Sequence, residues 1–356
     1  MKRSQERSLS RPGPGRPTIR EVADLARVSP MTVSRALRDD PGVSADKRAR
    51  VMEAVAELGY KPNENARNLR LGRSTGLIGL VVTNLANPFY SQLTLGVEGA
   101  ATEHGMRVLL GNSGGDPGRE RHLVHDFASR RVDGLVVVPC GNDHSHLNPE
   151  NLGGMPVVLA ASPPVKIDVD SVLLDDFTGT WEAIRHLITQ GHRRIGFLGL
   201  PASSWTGSER FRGYCAALED AQQPLDDRLV RLQHADVVVA EKSACALLDM
   251  SDPPTAIFSA NNRNTIGAYR AIRSRGSQIA LAGFDDFELA DSLNIPLVVV
   301  AYDPREMGAQ AAQLLRNRID DSSDDGARRT RRVVIPTRIV EYGTAAGQRV
   351  VNDPGD

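Results

Sequence analysis

Residues 29–35, Ser-Pro-Met-Thr-Val-Ser-Arg, hold the side chains of this chain best suited to reading another molecule: three hydroxyls, a methionine and a guanidinium at the front of a short helical stretch. Pro30 suits a first helical position, because the N–H it lacks would be unpaired there anyway. On a helix lying in a DNA major groove, the N-terminal side chains reach base edges. Pro30, Met31, Ser34 and Arg35 hold those positions, and Ser29 and Thr32 are better placed for phosphates. Arg35 could donate two hydrogen bonds to a guanine edge, which distinguishes that base pair from the others. A small structural helical domain is the competing reading of the same spacing.

Other chemistry finds little support. The chain has no G-x-x-x-x-G-K-S/T phosphate loop, no G-x-G-x-x-G at a strand end and no G-x-S-x-G nucleophile elbow, so no enzyme is expected. His122 and His125, and the run Asp143-His144-Ser145-His146, lack the spacing of a structural zinc site. Three cysteines, Cys140, Cys215 and Cys245, are too few and too far apart for a disulfide framework. No metal and no resident cofactor are expected. Charge is unevenly spread over the 356 residues: residues 1–73 carry 16 Lys and Arg against 9 Asp and Glu, yet the whole chain has a net charge of −1. A basic head on an acidic body suits a polyanionic partner. The basic N-terminus is followed by no apolar run of a secretory signal, which points to the cytoplasm.

The elements that must position these residues follow from periodicity. Residues 1–16 are Arg, Ser, Pro and Gly with almost nothing apolar, and read as a disordered basic tail. Residues 17–60 read as three short helices. Thr18 is the expected cap of the first, with Val22 and Leu25 on one face, and Thr18 and Arg20 are further candidate DNA contacts. A break at Arg27-Val28-Ser29 precedes the second helix. Ser44 is the expected cap of the third, which carries Val51, Val55 and Leu58 and ends at Gly59. From residue 77 the texture changes to short apolar runs between helical stretches. Runs at 77–82, 108–110, 134–138, 156–160 and 172–174 form one series, and runs at 195–200, 256–260, 279–284 and 297–301 a second. Strands apolar at every position belong to parallel sheets covered on both faces. Two series imply two doubly wound lobes, with ligands met at the carboxyl ends of the strands.

The head, TIREVADLARVSPMTVSRALRDDPGVS, and the later segments LIGLVVTNLANPFYSQL, RRVDGLVVVP, HLITQGHRRIGFLG, ERFRGYCAAL and GFDDFELAD resemble the lac-repressor (LacI/GalR) family of regulators over residues 18–342. The resemblance implies a multidomain fold: an all-α, lambda-repressor-like helix-turn-helix head with a hinge helix, then an α/β periplasmic-binding-protein-like core of two parallel-sheet lobes. It places a hinge and linker at 61–74, with Asn63, Ala66, Arg67 and Leu69 among the DNA contacts. Ala66 and Leu69 would go to the minor groove, Leu69 as an apolar wedge. So short a segment is unstable as a lone helix. Gly15-Arg16-Pro17 is similar to the core of an AT-hook, although Pro14 stands where full versions carry Arg.

The sensing core is expected at 75–342, with one lobe at about 75–174 and 303–332, the other at about 175–302 and 333–342, and a tail at 343–356. Asn87, Phe89 and Tyr90 follow the first strand, where a ligand would be met. By resemblance Arg210 contacts the effector and Asp285 accepts its hydroxyls. Trp205, on the preceding loop, could stack on it. Lobe packing competes for the aromatics and an inter-lobe or surface ion pair for Arg210 and Asp285. Two departures bear on ligand class: Ala161-Ser162 stands where the family often carries Asp-Arg, and Asn261-Asn262 where it commonly has Asn-Asp. Ser162 and Asn262 thus join the candidate effector residues; with fewer charged partners for sugar hydroxyls, the departures argue against a hexose and for a less polar or differently charged ligand. The implied function is a sequence-specific repressor, a homodimer on a pseudo-palindromic DNA operator, controlled by a small-molecule effector. A solute receptor of the periplasmic-binding type is the alternative, and the first 73 residues argue against it.

Overall fold

Thr18 opens the first helix with a reciprocal cap. Its Oγ1 accepts the Glu21 N–H at 3.4 Å, and the Glu21 carboxylate accepts the Thr18 N–H at 2.6 Å, so two donors that helix geometry leaves unpaired are both satisfied. The computed structural model describes residues 17–61, 74–201, 203–320, 329–344 and 347–352. It divides into two units, Met1–Thr75 and Gly76–Asp356.

In the first unit α1 spans Ile19–Leu25, α2 Pro30–Ala36 and α3 Ala45–Leu58. Val22, Ala23, Ala26, Val33, Ala36, Val51 and Ala54 are buried. The four alanines let three short helices approach closely enough to exclude water. Leu25 is 44% exposed. The inward stripe runs through Ile19, Val22, Ala23 and Ala26, spaced i, i+3, i+4, i+7, and Leu25 falls outside it. Ser29 caps α2 by accepting the Thr32 N–H at 3.2 Å, with Pro30 in the first turn. Ser44 stands at the N-cap of α3 without a side-chain cap bond, and Gly59 ends that helix at φ 60°. The expected tail at 1–16 and the hinge residues Asn63, Ala66, Arg67 and Leu69 lie outside the described residues.

The second unit is built on two sheets. Strands β1 (Leu77–Val82), β2 (Arg107–Asn112), β3 (Gly134–Val137), β4 (Val157–Ala160), β5 (Asp170–Leu174) and β11 (Arg332–Ile335) form the first lobe's sheet, in the order β11-β5-β4-β3-β1-β2. Every pairing in it is parallel. The second lobe holds β6 (Ile195–Gly199), β7 (Val230–Leu232), β8 (Ala256–Ser259), β9 (Ala280–Phe284), β10 (Leu297–Ala301), β12 (Arg338–Thr344) and β13 (Gly347–Asn352), ordered β13-β12-β10-β9-β8-β6-β7. Here β12 runs antiparallel to both β10 and β13.

Four strands lie outside the apolar runs. β7 and β11 are edge strands of mixed burial, so neither reads as an apolar run. β11 pairs with β5, which puts residues 333–335 in the first lobe and moves the expected division at 332/333. The expected tail from 343 instead continues β12 and supplies β13. Glycine enforces one close contact between helices α4 (Pro88–Glu103) and α10 (Pro304–Asp320). A Cβ on Gly96 would lie 2.0 Å from the Arg305 carbonyl oxygen, and one on Gly308 2.1 Å from that of Leu93. No helix of the described residues is long and apolar enough to cross a membrane.

Candidate functional site

On the head, Pro30, Met31 and Arg20 are exposed, Met31 by 67%, and Ser34 is half-buried. The hydroxyls are less available than expected. Thr18 is held in its capping box, and Ser29 Oγ meets Thr32 Oγ1 at 2.9 Å. Arg35 is clamped by the turn after its own helix. Its Nε donates to Asp40 Oδ2 at 3.0 Å and its Nη2 to Asp40 Oδ1 at 3.1 Å. The guanidinium fork, aided by the Gly42 N–H, holds the Asp40 carboxyl down at about 2. A two-armed guanine contact therefore needs release from Asp40. A one-armed contact through Nη1 does not, and the side chain stays 43% exposed.

The second candidate site is a cleft of about 460 Å³ between the two lobes. Its walls come from the carboxyl ends of strands and from the residues that cap the following helices. Asn87 caps α4; Ser204 caps α7 (Trp205–Asp220); Asn261 caps α9 (Asn262–Arg275). Capped helix N-termini thus face the cleft with partial positive charge. Two non-glycine residues in its wall hold left-handed backbone, Ala161 at φ 59° just after β4 and Asp285 at φ 68° just after β9. Such conformations cost energy and persist where surrounding contacts fix them.

Asp285 belongs to a buried charge cluster. Arg210, on α7 and 2% exposed, donates from Nε to Asp176 Oδ1 at 2.7 Å and from Nη1 to the Ala260 carbonyl at 2.5 Å. Its Nη2 lies 3.3 Å from Asp285 Oδ1, and its guanidinium stacks 3.5 Å from the Phe284 ring centroid. The Tyr302 hydroxyl donates to the same Asp285 oxygen at 2.8 Å. Burial pushes the Asp176 carboxyl up to about 6, against the pull of Arg210. For Arg210, burial works downward, but Asp285 and Asp176 together outweigh it and hold the guanidinium above its ordinary value. Arg210 and Asp285 are thus paired, but the pair is buried within one lobe and is neither inter-lobe nor at the surface as weighed.

Seven of the eight expected effector residues line the cleft: Asn87, Phe89, Tyr90, Ser162, Trp205, Arg210 and Asp285. Asn262 does not; Asn261 takes its place. The Asn262 side chain turns to the other lobe, where Nδ2 donates to Asn87 Oδ1 at 3.1 Å and ties the lobes together. The Thr206 hydroxyl makes a second tie, to the Ala161 carbonyl at 3.4 Å. Phe89 packs edge-on against Tyr90 at 4.9 Å and against Tyr302 at 6.2 Å, so the lobe packing weighed for these aromatics is present. Asn84, His234, Asn261 and Tyr302 were missed. Asn261 and Tyr302 each follow an apolar run directly, and the carboxyl-end rule applied strand by strand would have found them.

The histidine run serves the cleft floor. Glu120, fully buried, accepts the Cys140 N–H at 2.7 Å and faces His146 Nε2 at 2.8 Å. His144 accepts the Val165 N–H at Nδ1, which leaves Nε2 to donate to the Gly141 carbonyl. These bonds pin the loop after β3. Burial raises the Cys140 thiol to about 12, so it lines the cleft un-ionised. Among the described residues no three His, Cys, Asp or Glu side chains gather as a metal site.

Residues 18–63 match the family of bacterial regulatory proteins, lacI family, and residues 75–343 match the periplasmic binding proteins and sugar binding domain of the LacI family. The chain is 31% identical to the ribose operon repressor of Haemophilus influenzae, over 86% of this chain and 93% of that protein. It is 31% identical to the HTH-type transcriptional regulator DegA of Bacillus subtilis, over 92% of this chain and 98% of the relative. Among solved structures, a transcriptional regulator CelR–cellobiose complex is 30% identical with a TM-score of 0.68, covering 92% of this chain and 100% of that one. The lac repressor dimer bound to operator and the anti-inducer ONPF is 26% identical with a TM-score of 0.76, covering 91% and 98%. The chain belongs to the LacI family of bacterial regulatory proteins.

Proposed function

We propose that this regulator is a cytoplasmic repressor that binds a pseudo-palindromic operator as a homodimer and releases or tightens its grip when a small molecule enters the inter-lobe cleft. The carrying observation is the cleft itself: about 460 Å³, walled by both lobes, with capped helix N-termini, aromatic rings and two strained backbone positions around it. A ligand that prefers one lobe orientation shifts operator affinity by its differential affinity for the two states, typically about 5–150-fold. Asn87 and Asn261 spend their carbonyl oxygens on backbone caps, and Arg210 is taken up by Asp176, Asp285 and the Ala260 carbonyl, so the Arg210 and Asp285 charges that line the cleft are already paired with each other. A neutral polyhydroxylated molecule stacked on Trp205 or Tyr90 suits that lining. On the head, Met31, Ser34 and Arg35 read base edges, and Arg20 lies where it can meet phosphate.

The test is a thermal-shift screen that begins with ribose and cellobiose and extends to a metabolite library. Each hit is followed by fluorescence anisotropy on operator DNA recovered by site selection. A stabilising ligand that changes operator affinity at least several-fold, and loses its effect in Trp205→Ala, supports the reading. Selection that yields no preferred DNA sequence overturns it.

A further inference from the structure

A second pocket, of about 370 Å³, shares Phe89, Asp285 and Tyr302 with the cleft but opens among other elements. The first turns of α4 and α10 supply its first-lobe wall, and the β9–β10 loop and β12 its second-lobe wall. Three observations define its chemistry. Four aromatic rings line it: Phe89, Phe287, Tyr302 and Tyr342. Five carboxylates, Asp285, Asp286, Glu288, Asp291 and Asp303, stand with them, and Arg305 is the one basic residue of the lining. The Arg305 Nε is directed onto Gln92 Oε1 at 2.6 Å. Third, Asn262 lines the pocket at 2% exposure with a side-chain oxygen that accepts no hydrogen bond, its Nδ2 being committed to Asn87.

A buried amide oxygen without a donor is costly and calls for an N–H. Aromatic faces beside carboxylates favour a cation that carries hydrocarbon. A bare metal ion fits poorly, because no three acidic or histidine side chains converge among the described residues. We propose that this pocket binds a small organic primary ammonium, whose N–H reaches Asn262 and whose carbon chain lies against the aromatic rings. The bound amine touches both lobes and gives the regulator a second input, separate from the cleft ligand.

Calorimetry on the full chain tests this with putrescine, tetramethylammonium and magnesium chloride at constant ionic strength. Putrescine is expected to bind saturably, one per chain, and tetramethylammonium, which has no hydrogen-bond donor for Asn262, about tenfold or more weakly. Phe287→Leu keeps apolar bulk but removes a ring, and is expected to weaken putrescine by about 2–30-fold. Glu288→Gln with Asp291→Asn should weaken it too, with an unchanged circular dichroism spectrum. Trp205→Ala, in the cleft, should leave it unchanged, which separates this site from the effector site. No saturable heat with putrescine, equal binding by tetramethylammonium or by magnesium, or loss in Trp205→Ala instead of Phe287→Leu would each overturn the proposal.

Discussion

Replacing Arg210 by Met would leave Asp176 and Asp285, 3% and 8% exposed, in the interior without their cation. At an effective dielectric of about 20, the pairs at 2.7 and 3.3 Å are attractions of about 6 and 5 kcal/mol, offset in the native protein by desolvation of three charges. Once the cation is gone, the cheaper course is for a carboxylate to take up a proton. Holding a carboxyl with an ordinary value near 3.9 protonated costs about 5 kcal/mol at pH 7.5 and about 1.5 kcal/mol at pH 5. The larger figure matches the roughly 3–5 kcal/mol typical of breaking a buried pair. The native protein also responds to pH. Asp176 titrates at about 6 when folded, above its unfolded value, so the folded form binds the proton more tightly and stability rises as pH falls from about 7 toward 4. That gain is about 1 kcal/mol by pH 5, so the gap between native protein and variant should narrow by about 2 kcal/mol between pH 7.5 and 5. Urea unfolding followed by circular dichroism at both pH values measures it. Adding Asp176→Asn to the variant should restore part of the loss at pH 7.5. Near-native stability of Arg210→Met at both pH values would refute the reasoning and leave Arg210 as a ligand contact alone.

Three other outcomes are expected. Arg35→Ala should relax base preference at one position per half-site in a randomised-site selection, and Asp40→Asn, which loosens the clamp on the guanidinium, should alter preference at that same position; an unchanged profile in Arg35→Ala removes Arg35 from base reading. Asn262→Ala deletes an inter-lobe hydrogen bond of about 0.5–1.5 kcal/mol, and hydrogen exchange should quicken around residues 84–90 and 261–264 while distant helices keep their protection. Gly308→Ala drives a Cβ to 2.1 Å from the Leu93 carbonyl, and calorimetry should show a melting temperature lower by several degrees, since such overpacking costs about 1–3 kcal/mol.

The parallel strands were legible because they are buried on both faces, so an apolar run such as Leu77–Val82 announces itself without tertiary context. The edges were not. β11 alternates exposed and buried residues, and β12 and β13 depend on an antiparallel return that only the finished sheet supplies. The same contrast holds at the sites. Position along the chain placed Asn87, Phe89 and Tyr90 in the cleft, because the carboxyl ends of strands converge whatever the side chains are, and resemblance to the family added Ser162, Arg210 and Asp285. Orientation was beyond that rule. Whether Asn261 or Asn262 faces the cleft depends on which of them caps α9, and the capping Asn261 leaves Asn262 turned toward Asn87.

That single choice links the two cavities of the core. Asn87 caps α4 with the same oxygen that receives Asn262, so the start of α4 in one lobe and of α9 in the other are joined through one atom. Phe89, two residues on, lines both the cleft and the amine pocket. A molecule in either cavity therefore presses on a seam already held by few bonds, and its effect on lobe orientation is limited by how differently it contacts the two lobes in each state. If both cavities act through this seam, Asn262→Asp, which loses the Nδ2 donor to Asn87 but keeps an oxygen for the amine, should weaken the mutual influence of putrescine and a cleft ligand, measured as the change in one calorimetric affinity when the other is saturating. By reciprocity the two changes must be equal. Coupling that persists undiminished in Asn262→Asp would place the connection elsewhere, through the Phe89–Tyr302 ring contact.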